Sequence, residues 1–246
     1  MSTNYDFIAE QYKRAKLQPW RAHVESFTLL GVIGDLAGKK VVDLACGEGF
    51  YSRILREQGA ASVTGVDLSE KMIALARQQE AEHPQGIRYL VGDGRDLQLN
   101  EEHDLVVAAY LLNYATNREE LAAMLHSIAR SLKSGGRFVT VNSNPALDFS
   151  AAPSYRKYGF ETRVPGAWQE GAPIHWIFHL AEGSIEIENY YLSVAIHEEA
   201  CRSAGFNSVR WHSSRLSPQG EAAFEKGYWT ELISQPPIIC LECVKC

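Results

Sequence analysis

The chain has 246 residues and a formal net charge of −6, and 46% of its residues are hydrophobic. A chain of this length and composition can bury a sizeable core. Like charges form no long block, so nothing indicates a nucleic-acid partner. No apolar stretch reaches the length of a membrane span, and no basic segment followed by an apolar run opens the chain. We therefore expect a cytoplasmic protein that contacts no membrane.

Two helices are predicted before the first strand. Residues 5–16 carry a broken apolar face, and residues 20–35 follow Pro19 with apolar side chains at helical spacing. Three aromatic residues fall in this stretch. Tyr5, Tyr12 and Trp20 either pack a helical lid onto the protein or close over a ligand, and both interpretations stay open at this point.

A regular alternation of strands and helices follows. Helices are predicted over 51–58, from 69 to about 84, and over 117–132. This order predicts a doubly wound, Rossmann-like α/β fold with helices on both faces of a mostly parallel sheet. A long connection precedes the last strand, which indicates an antiparallel partner. The seven strands are predicted over 41–44, 63–66, 87–91, 104–109, 137–142, 208–212 and 237–246.

The alternation stops after Asn144. About fifty residues rich in proline and aromatic side chains follow, and residues 174–181 and 184–192 predict a β-hairpin around Glu182 and Gly183. We expect a single domain. Its parts are an N-terminal helical lid (1–36), a cofactor-binding core (37–143), a substrate-binding insertion (144–195) and C-terminal core elements (196–246).

The five cysteines include a C-terminal set at Cys240, Cys243 and Cys246. Their spacing could suggest zinc, but they lie in a predicted strand, where Cys240 and Cys243 would face opposite sides. No further His or Cys set with zinc-ligand spacing accompanies them. We expect free thiols and no metal site.

The first strand runs into a loop of small residues, Ala45 to Gly49, with Asp43 just before it. Ligands of open α/β sheets bind at the carboxyl ends of strands, and a carboxylate after the second strand, here Asp67, can accept both hydroxyls of a ribose. A dinucleotide loop would have a third glycine where Ser52 stands. Asp43 and Glu48 would repel a pyrophosphate but attract a sulfonium and an ammonium. The charges therefore favour S-adenosylmethionine.

Four segments in order resemble the motifs of class I S-adenosylmethionine-dependent methyltransferases. They are Val41–Gly49, Val66–Met72, Gly92–Leu97 and Asp104–Ala108. By this resemblance Asp67 binds the ribose, Asp93 binds the adenine amino group, and the backbone of Gly94 faces the adenine ring. The carbonyls of Ala45 and Ala108 would face the methionine end. The remaining residues that we expect to contact the cofactor are Tyr5, Tyr12, Asp43, Gly47, Leu68 and Met72.

Within that family, the whole chain resembles members that methylate ring nitrogens of azapteridines on the route to toxoflavin. The resemblance implies N-methylation of a small planar heterocycle. Small-molecule O-methylation and cofactor binding without catalysis remain alternatives, and we expect a monomer or a weak homo-oligomer. His175 and His179 are candidate bases, although alignment of the reactants alone can supply much of the rate. The aromatic residues expected to hold the heterocycle are Trp20, Tyr110, Trp168, Trp176, Phe178 and Tyr191.

Overall fold

The computed structural model describes residues 14–97, 99 and 102–246. Seven strands form one sheet in the order β3-β2-β1-β4-β5-β10-β9, and β6, β7 and β8 form a second sheet. The strands are β1 (Lys40–Leu44), β2 (Ser62–Asp67), β3 (Arg88–Val91), β4 (His103–Ala109), β5 (Leu132–Ser143), β6 (Phe160–Arg163), β7 (Pro173–Leu180), β8 (Gly183–Tyr190), β9 (Phe206–His212) and β10 (Ile238–Lys245).

The strand pairing confirms the predicted fold. β1 pairs in parallel with both β2 and β4, while β3 and β5 extend the parallel sheet on either side. The last strand, β10, is antiparallel to its neighbours β5 and β9. Chain order reverses between β1 and β4, and the crevice outside such a reversal is where open α/β sheets bind ligands.

Helices cover both faces of the large sheet. Neighbouring strand residues alternate between two apolar cores: Val41 packs with Leu29 and Leu55 on one face, and Val42 packs with Leu125 on the other. The helical elements are a π-helical segment (Arg21–Ser26) that continues into α1 (Phe27–Ile33), then α2 (Phe50–Glu57), α3 (Glu70–Glu82), α4 (Arg118–Ser131), α5 (Val194–Ser203), α6 (Pro218–Ala223) and α7 (Thr230–Ser234).

The second sheet contains the predicted hairpin, β7 with β8, in antiparallel register. Its burial alternates along β7, so that Trp176 and Phe178 lie buried on the inner face and join the core, while His175 and His179 lie on the outer face. β6 pairs with β7 at its other edge and was not predicted, because a four-residue strand gives almost no periodic signal. The short helices α6 and α7 were missed for the same reason.

Four other expectations concern the N-terminal helix, the C-terminal cysteines, membrane spans and metal sites. The predicted helix over residues 5–16 lies almost entirely outside the described residues. Cys240 and Cys243 belong to the cores on opposite faces of the sheet, as the alternation along β10 predicts. Within the described residues, no helix combines the length and apolar character that crossing a bilayer requires, and no three His, Cys, Asp or Glu side chains are grouped to hold a metal ion.

Candidate cofactor and acceptor site

The loop after β1 turns sharply at three positions with positive φ. These are Ala45 (58°), Gly47 (57°) and Gly49 (87°). Glycine adopts this conformation at no steric cost, whereas the Cβ of Ala45 makes it unfavourable by about 1 kcal/mol. The N–H of Cys46 donates to the carbonyl of Val66 at 3.1 Å, which fixes the turned loop against β2. Backbone groups therefore form the rim of the crevice.

Asp67, at the end of β2, joins the two loops. One of its carboxylate oxygens accepts the N–H of Gly47 and the other accepts the N–H of Ser69, each at 2.8 Å. Asp67 also lines the cavity, and a carboxylate after the second strand can accept the hydroxyls of a bound ribose. The same side chain that organises the loops is thus positioned to bind a ligand.

A buried carboxyl and an ammonium lie near the loop. Asp43 is 1% exposed, and its burial raises its pKa to about 7 although Ser52 Oγ donates to it at 2.6 Å and Lys16 lies nearby. The ammonium of Lys16 lies 3.8 Å from Glu48 and next to Gly47. Asp43 and Lys16 together match the α-ammonium and α-carboxylate of a methionine. No sequence signal marked Lys16, which lies far upstream of the loop.

The loop after β3 forms the third side. Asp93 accepts two hydrogen bonds from the guanidinium of Arg95, at 3.0 Å from Nε and 2.6 Å from Nη2, which holds the pKa of Asp93 below its usual range. Gly94 follows without a side chain and packs beside Leu111. A flat base can therefore approach the backbone between an ionised carboxylate and apolar side chains.

These loops surround a cavity of about 450 Å³, a volume in the range of small-molecule sites. Of the other predicted cofactor residues, Ala108 is fully buried behind the cavity wall and its neighbour Ala109 lines it instead. Tyr5 and Tyr12 lie outside the described residues. The predicted site residues that line the cavity are Asp43, Ala45, Gly47, Asp67, Leu68, Met72, Asp93, Gly94 and Tyr110.

The opposite end of the cavity contains a buried ion pair. Nη1 of Arg21 donates to Glu25 at 2.6 Å, and both side chains are about 5% exposed or less. The hydroxyl of Tyr51 donates to the other Glu25 oxygen at 2.8 Å. The hydroxyl of Tyr110 donates to the same Glu25 oxygen as Arg21. Burial raises the pKa of both tyrosines well above the usual value, so they remain donors. Sequence reasoning missed Arg21, Glu25 and Tyr51, because no motif marks them.

A narrow aromatic recess of about 20 Å³, room for little more than one water molecule, adjoins the cavity. Arg21, Tyr110 and Tyr114 line both spaces. The guanidinium carbon of Arg21 lies 4.6 Å from the ring centroid of Trp20 and 5.2 Å from that of Phe178, which is cation–π geometry. The full lining of the recess is Trp20, Arg21, Tyr110, Tyr114, Trp176, Phe178, Ile187 and Asn189.

The remaining candidates lie elsewhere. The rings of Trp168 and Tyr191 pack against each other at a tilt of 33°, with centroids 4.1 Å apart, and line neither the cavity nor the recess. Nε2 of His179 donates a hydrogen bond to the carboxylate of Glu161 at 2.9 Å, and His175 pairs with Glu186. Both histidines belong to the outer face of the second sheet. The structure therefore brings together four of the six aromatic residues predicted to hold the heterocycle, and neither candidate base lies with them.

Comparison with known proteins agrees with this geometry. Residues 41–136 match a family model described as a methyltransferase domain. This match covers less than half of the chain. The fold around it is shared with solved S-adenosylmethionine-dependent methyltransferases, whose cofactor is S-adenosylmethionine. The cavity, with Asp67 for a ribose and Asp43 and Lys16 for a methionine, fits that cofactor.

Relatives of the methyltransferase core differ in their acceptors. A ubiquinone biosynthesis O-methyltransferase of Pseudomonas syringae pv. tomato is 33% identical over 45% of this chain and 48% of that protein. An N-demethylindolmycin N-methyltransferase of Streptomyces griseus is 25% identical over 69% of this chain and 70% of that protein. The chain spans about half the length of most curated relatives it matches.

The same fold is found in a crystal structure of an S-adenosylmethionine-dependent methyltransferase from Mesorhizobium loti. The TM-score is 0.65 at 24% identity, and the match covers 90% of this chain and 97% of that one. A likeness at this identity establishes the fold and does not identify a methyl acceptor. The match extends beyond residues 41–136, so the fold is shared outside the family model as well.

Proposed function

We propose that the protein is an S-adenosylmethionine-dependent N-methyltransferase that acts on ring nitrogens of a small planar heterocycle, an azapteridine precursor of toxoflavin. The observation that carries this proposal is the aromatic border between the cavity and the recess. The recess, lined by Trp20, Tyr110, Trp176 and Phe178, has a volume of about 20 Å³, so a ring would lie in the cavity with one edge at the recess. Flat side chains at that border favour a planar ring over a flexible chain.

When bound, the cofactor supplies a methyl group on a sulfonium for in-line displacement. The chain's own residues then have to orient the two reactants and exclude water, since alignment accounts for much of the rate of such a transfer. Asp67 holds the ribose, and Asp43 with Lys16 holds the charged ends of the methionine. Tyr110 lines both the cavity and the recess, so it lies where the two reactants meet.

No side-chain base is required in this proposal. The ring N–H of such a heterocycle is acidic enough to lose its proton to solvent before binding. The nitrogen lone pair then forms the new N–C bond while the C–S bond breaks and its electron pair stays on sulfur. The carboxylate of Glu25 already accepts three hydrogen bonds, which leaves it poorly placed to take a proton.

O-methylation of a small phenol is the second candidate, because the relative named as a ubiquinone biosynthesis O-methyltransferase has the higher identity over the shared core. The N-methyltransferase relative supports the first candidate, because its match extends over more of the chain. A protein that binds the cofactor without catalysis is the third.

A labelled methyl group separates the three. The protein is incubated with S-adenosylmethionine carrying a deuterated methyl group and with a panel of azapteridines and phenols, and products are read by mass spectrometry. We expect the label on ring nitrogens of the heterocycles. Label on phenol oxygens would favour the second candidate, and no label on any acceptor would favour the third.

The cofactor part of the proposal has its own test. Substitution Asp67→Ala removes the carboxylate expected to bind the ribose hydroxyls, so S-adenosylmethionine affinity measured by calorimetry should fall by about a hundredfold or more. Asp96→Ala, an exposed carboxylate in the loop after β3, is the matched control and should leave affinity unchanged. Equal affinities for both variants would contradict the assignment of Asp67.

A further inference from the structure

The recess has an unusual balance of charge and hydrogen-bonding groups. Of the described residues that line it, Arg21 is the one with a formal charge; no carboxylate lines it. Glu25, the partner of Arg21, lines the cavity but not the recess. Arg21 therefore faces both the cavity and the recess, whereas Glu25 faces the cavity.

A second buried donor is present in the same wall. Trp176 is 3% exposed, and its indole N–H has no hydrogen-bond partner among the residues that the structure describes. The other tryptophan of the recess, Trp20, donates its N–H to Gln18 at 2.9 Å. A buried donor left without an acceptor is unfavourable, and the recess beside Trp176 has room for one acceptor atom.

Glu25 is held so that it cannot follow a ligand. Two tyrosine hydroxyls and Arg21 all donate to its carboxylate, and Ser26 hydrogen-bonds to Tyr51 behind it. The pair lies on the π-helical segment Arg21–Ser26, and π-helical turns are rare and occur often at functional sites. The network fixes the guanidinium of Arg21 against three aromatic rings instead of leaving it mobile.

Building on the proposed function, we propose that Arg21 selects the methyl acceptor as an anion. The acceptor is a flat, N–H-acidic heterocycle in its deprotonated form, with a carbonyl or ring-nitrogen edge that accepts hydrogen bonds from Arg21 and Trp176. Glu25 is a positioning residue for Arg21. Amine acceptors, which are cations at neutral pH, are disfavoured by the same guanidinium.

The charge of the acceptor disappears during the transfer. An anionic nitrogen and a sulfonium become a neutral N-methyl group and a neutral thioether, so Arg21 stabilises the bound acceptor more than the transition state. Loss of Arg21 should therefore raise KM for the acceptor more than it lowers kcat. If the role of Arg21 were purely structural, its loss would lower the amount of folded enzyme without raising KM more than it lowers kcat.

Two pteridine probes test the inference by binding alone. Lumazine (pteridine-2,4-dione) loses an N–H proton at mildly alkaline pH, whereas 1,3-dimethyllumazine cannot, and both are fluorescent. Wild type should bind the lumazine anion about tenfold more tightly than neutral lumazine or the dimethyl compound, as one charge-assisted contact provides. Comparison of the two probes at each pH cancels the titration of the protein's own groups. The ionisable side chains that line the cavity together with Arg21 are Lys16, Glu25, Asp43, Cys46, Tyr51, Asp67, Asp93, Arg95, Tyr110, Tyr114, Glu120 and Tyr190.

The decisive variant is Arg21→Met with Glu25→Gln, which removes both charges together and leaves no unpaired ion. It should bind both probes within about twofold of each other and keep its affinity for S-adenosylhomocysteine. Arg163→Met, an exposed arginine of β6, is the control and should keep the preference for the anion.

Two results would overturn the inference: a double variant that still prefers the anion, or a wild-type protein that binds neutral and anionic rings alike. Neither depends on turnover. Failure of the proposed function would instead show as label transfer to hydroxyls or to nothing, and a preference for anions would survive that result because a phenolate is also an anion.

Discussion

The two ends of the cavity are built in different ways. At the cofactor end, loops after β1, β2 and β3 bring backbone groups and small residues to one sheet edge, and Asp67 is the side chain that joins them. At the acceptor end, large side chains converge from the π-helical segment, from the end of β4 and from the second sheet. The first end depends on how the backbone turns, and the second depends on which side chains meet.

The difference implies that each end responds to different substitutions. Side chains at the acceptor end are buried and paired, so removal of one partner leaves another unsatisfied. Among the small residues of the cofactor loop, Ala45 to Gly49, a substitution that preserves the backbone turn should have little effect. The four predictions below test this contrast, from the largest expected effect to the smallest.

The largest effect is expected for Arg21→Met alone. It leaves the carboxylate of Glu25 buried with two tyrosine donors but no cation, and removal of one member of a buried pair typically costs about 3–5 kcal/mol. Urea denaturation should show this loss, and addition of Glu25→Gln should restore most of it. If the single and double variants are equally stable, the acceptor end does not depend on paired side chains.

The same contrast explains what could be predicted from the sequence. The cofactor end is continuous in the chain: Asp43 to Gly49 and Asp67 to Met72 are local patterns that predict both a backbone shape and a ligand. The period-2 and helical patterns likewise predict the seven strands and the large helices. Arg21 and Glu25 lie one helical turn apart, but Tyr51, Tyr110 and Trp176 are distant from them in sequence, and only tertiary packing brings these residues together.

Spacing also failed where the elements are short or the partner is unknown. β6 has four residues, so no period can be read from it. For His175 and His179, alternation along β7 placed both on one face, but the inward face depends on what the sheet packs against. The structure resolves this because Trp176 and Phe178 join the main core.

Asp43 is predicted to combine a cost in stability with a benefit in binding. Burial raises its pKa to about 7, so the folded protein holds the proton more tightly than the unfolded chain does. The stability of the cofactor-free protein should therefore fall as pH rises from about 4 through 7. Asp43→Asn removes this penalty and should increase the free energy of unfolding at pH 8 by about 3–4 kcal/mol.

The same variant should bind S-adenosylmethionine more weakly, because it no longer opposes the ammonium with a charge. Wild-type binding should release a proton near pH 7, which calorimetry in buffers of different ionisation enthalpy can count, and the variant should release none. If the stability difference between Asp43→Asn and wild type is the same at pH 8 as at pH 4, Asp43 is ionised without cost.

A smaller effect is expected at Ala45. Its φ of 58° is unfavourable for any residue with a Cβ, so Ala45→Gly relieves strain of about 1 kcal/mol and loses part of that gain to the entropy of the unfolded chain. Stability should change by less than about 1 kcal/mol and cofactor affinity by less than about twofold. Ala45→Val places a β-branched residue in the same conformation and should lower both. Similar behaviour of the two variants would mean that the loop backbone is not what holds the cofactor.

The smallest effect is expected for the two histidines. Each lies on the outer face of the second sheet with a glutamate partner, His179 with Glu161 and His175 with Glu186, and exposed pairs of this kind contribute about 0.2–1 kcal/mol. His175→Ala and His179→Ala, made separately, should leave kcat/KM within about twofold. Trp176→Phe is the comparison from the inner face of the same strand: it keeps a flat ring but removes the buried N–H, and it should raise KM for the acceptor about tenfold. A hundredfold loss of kcat in either folded histidine variant would place a base on the outer face, and the acceptor would then have to bind against β7 from the side opposite Arg21.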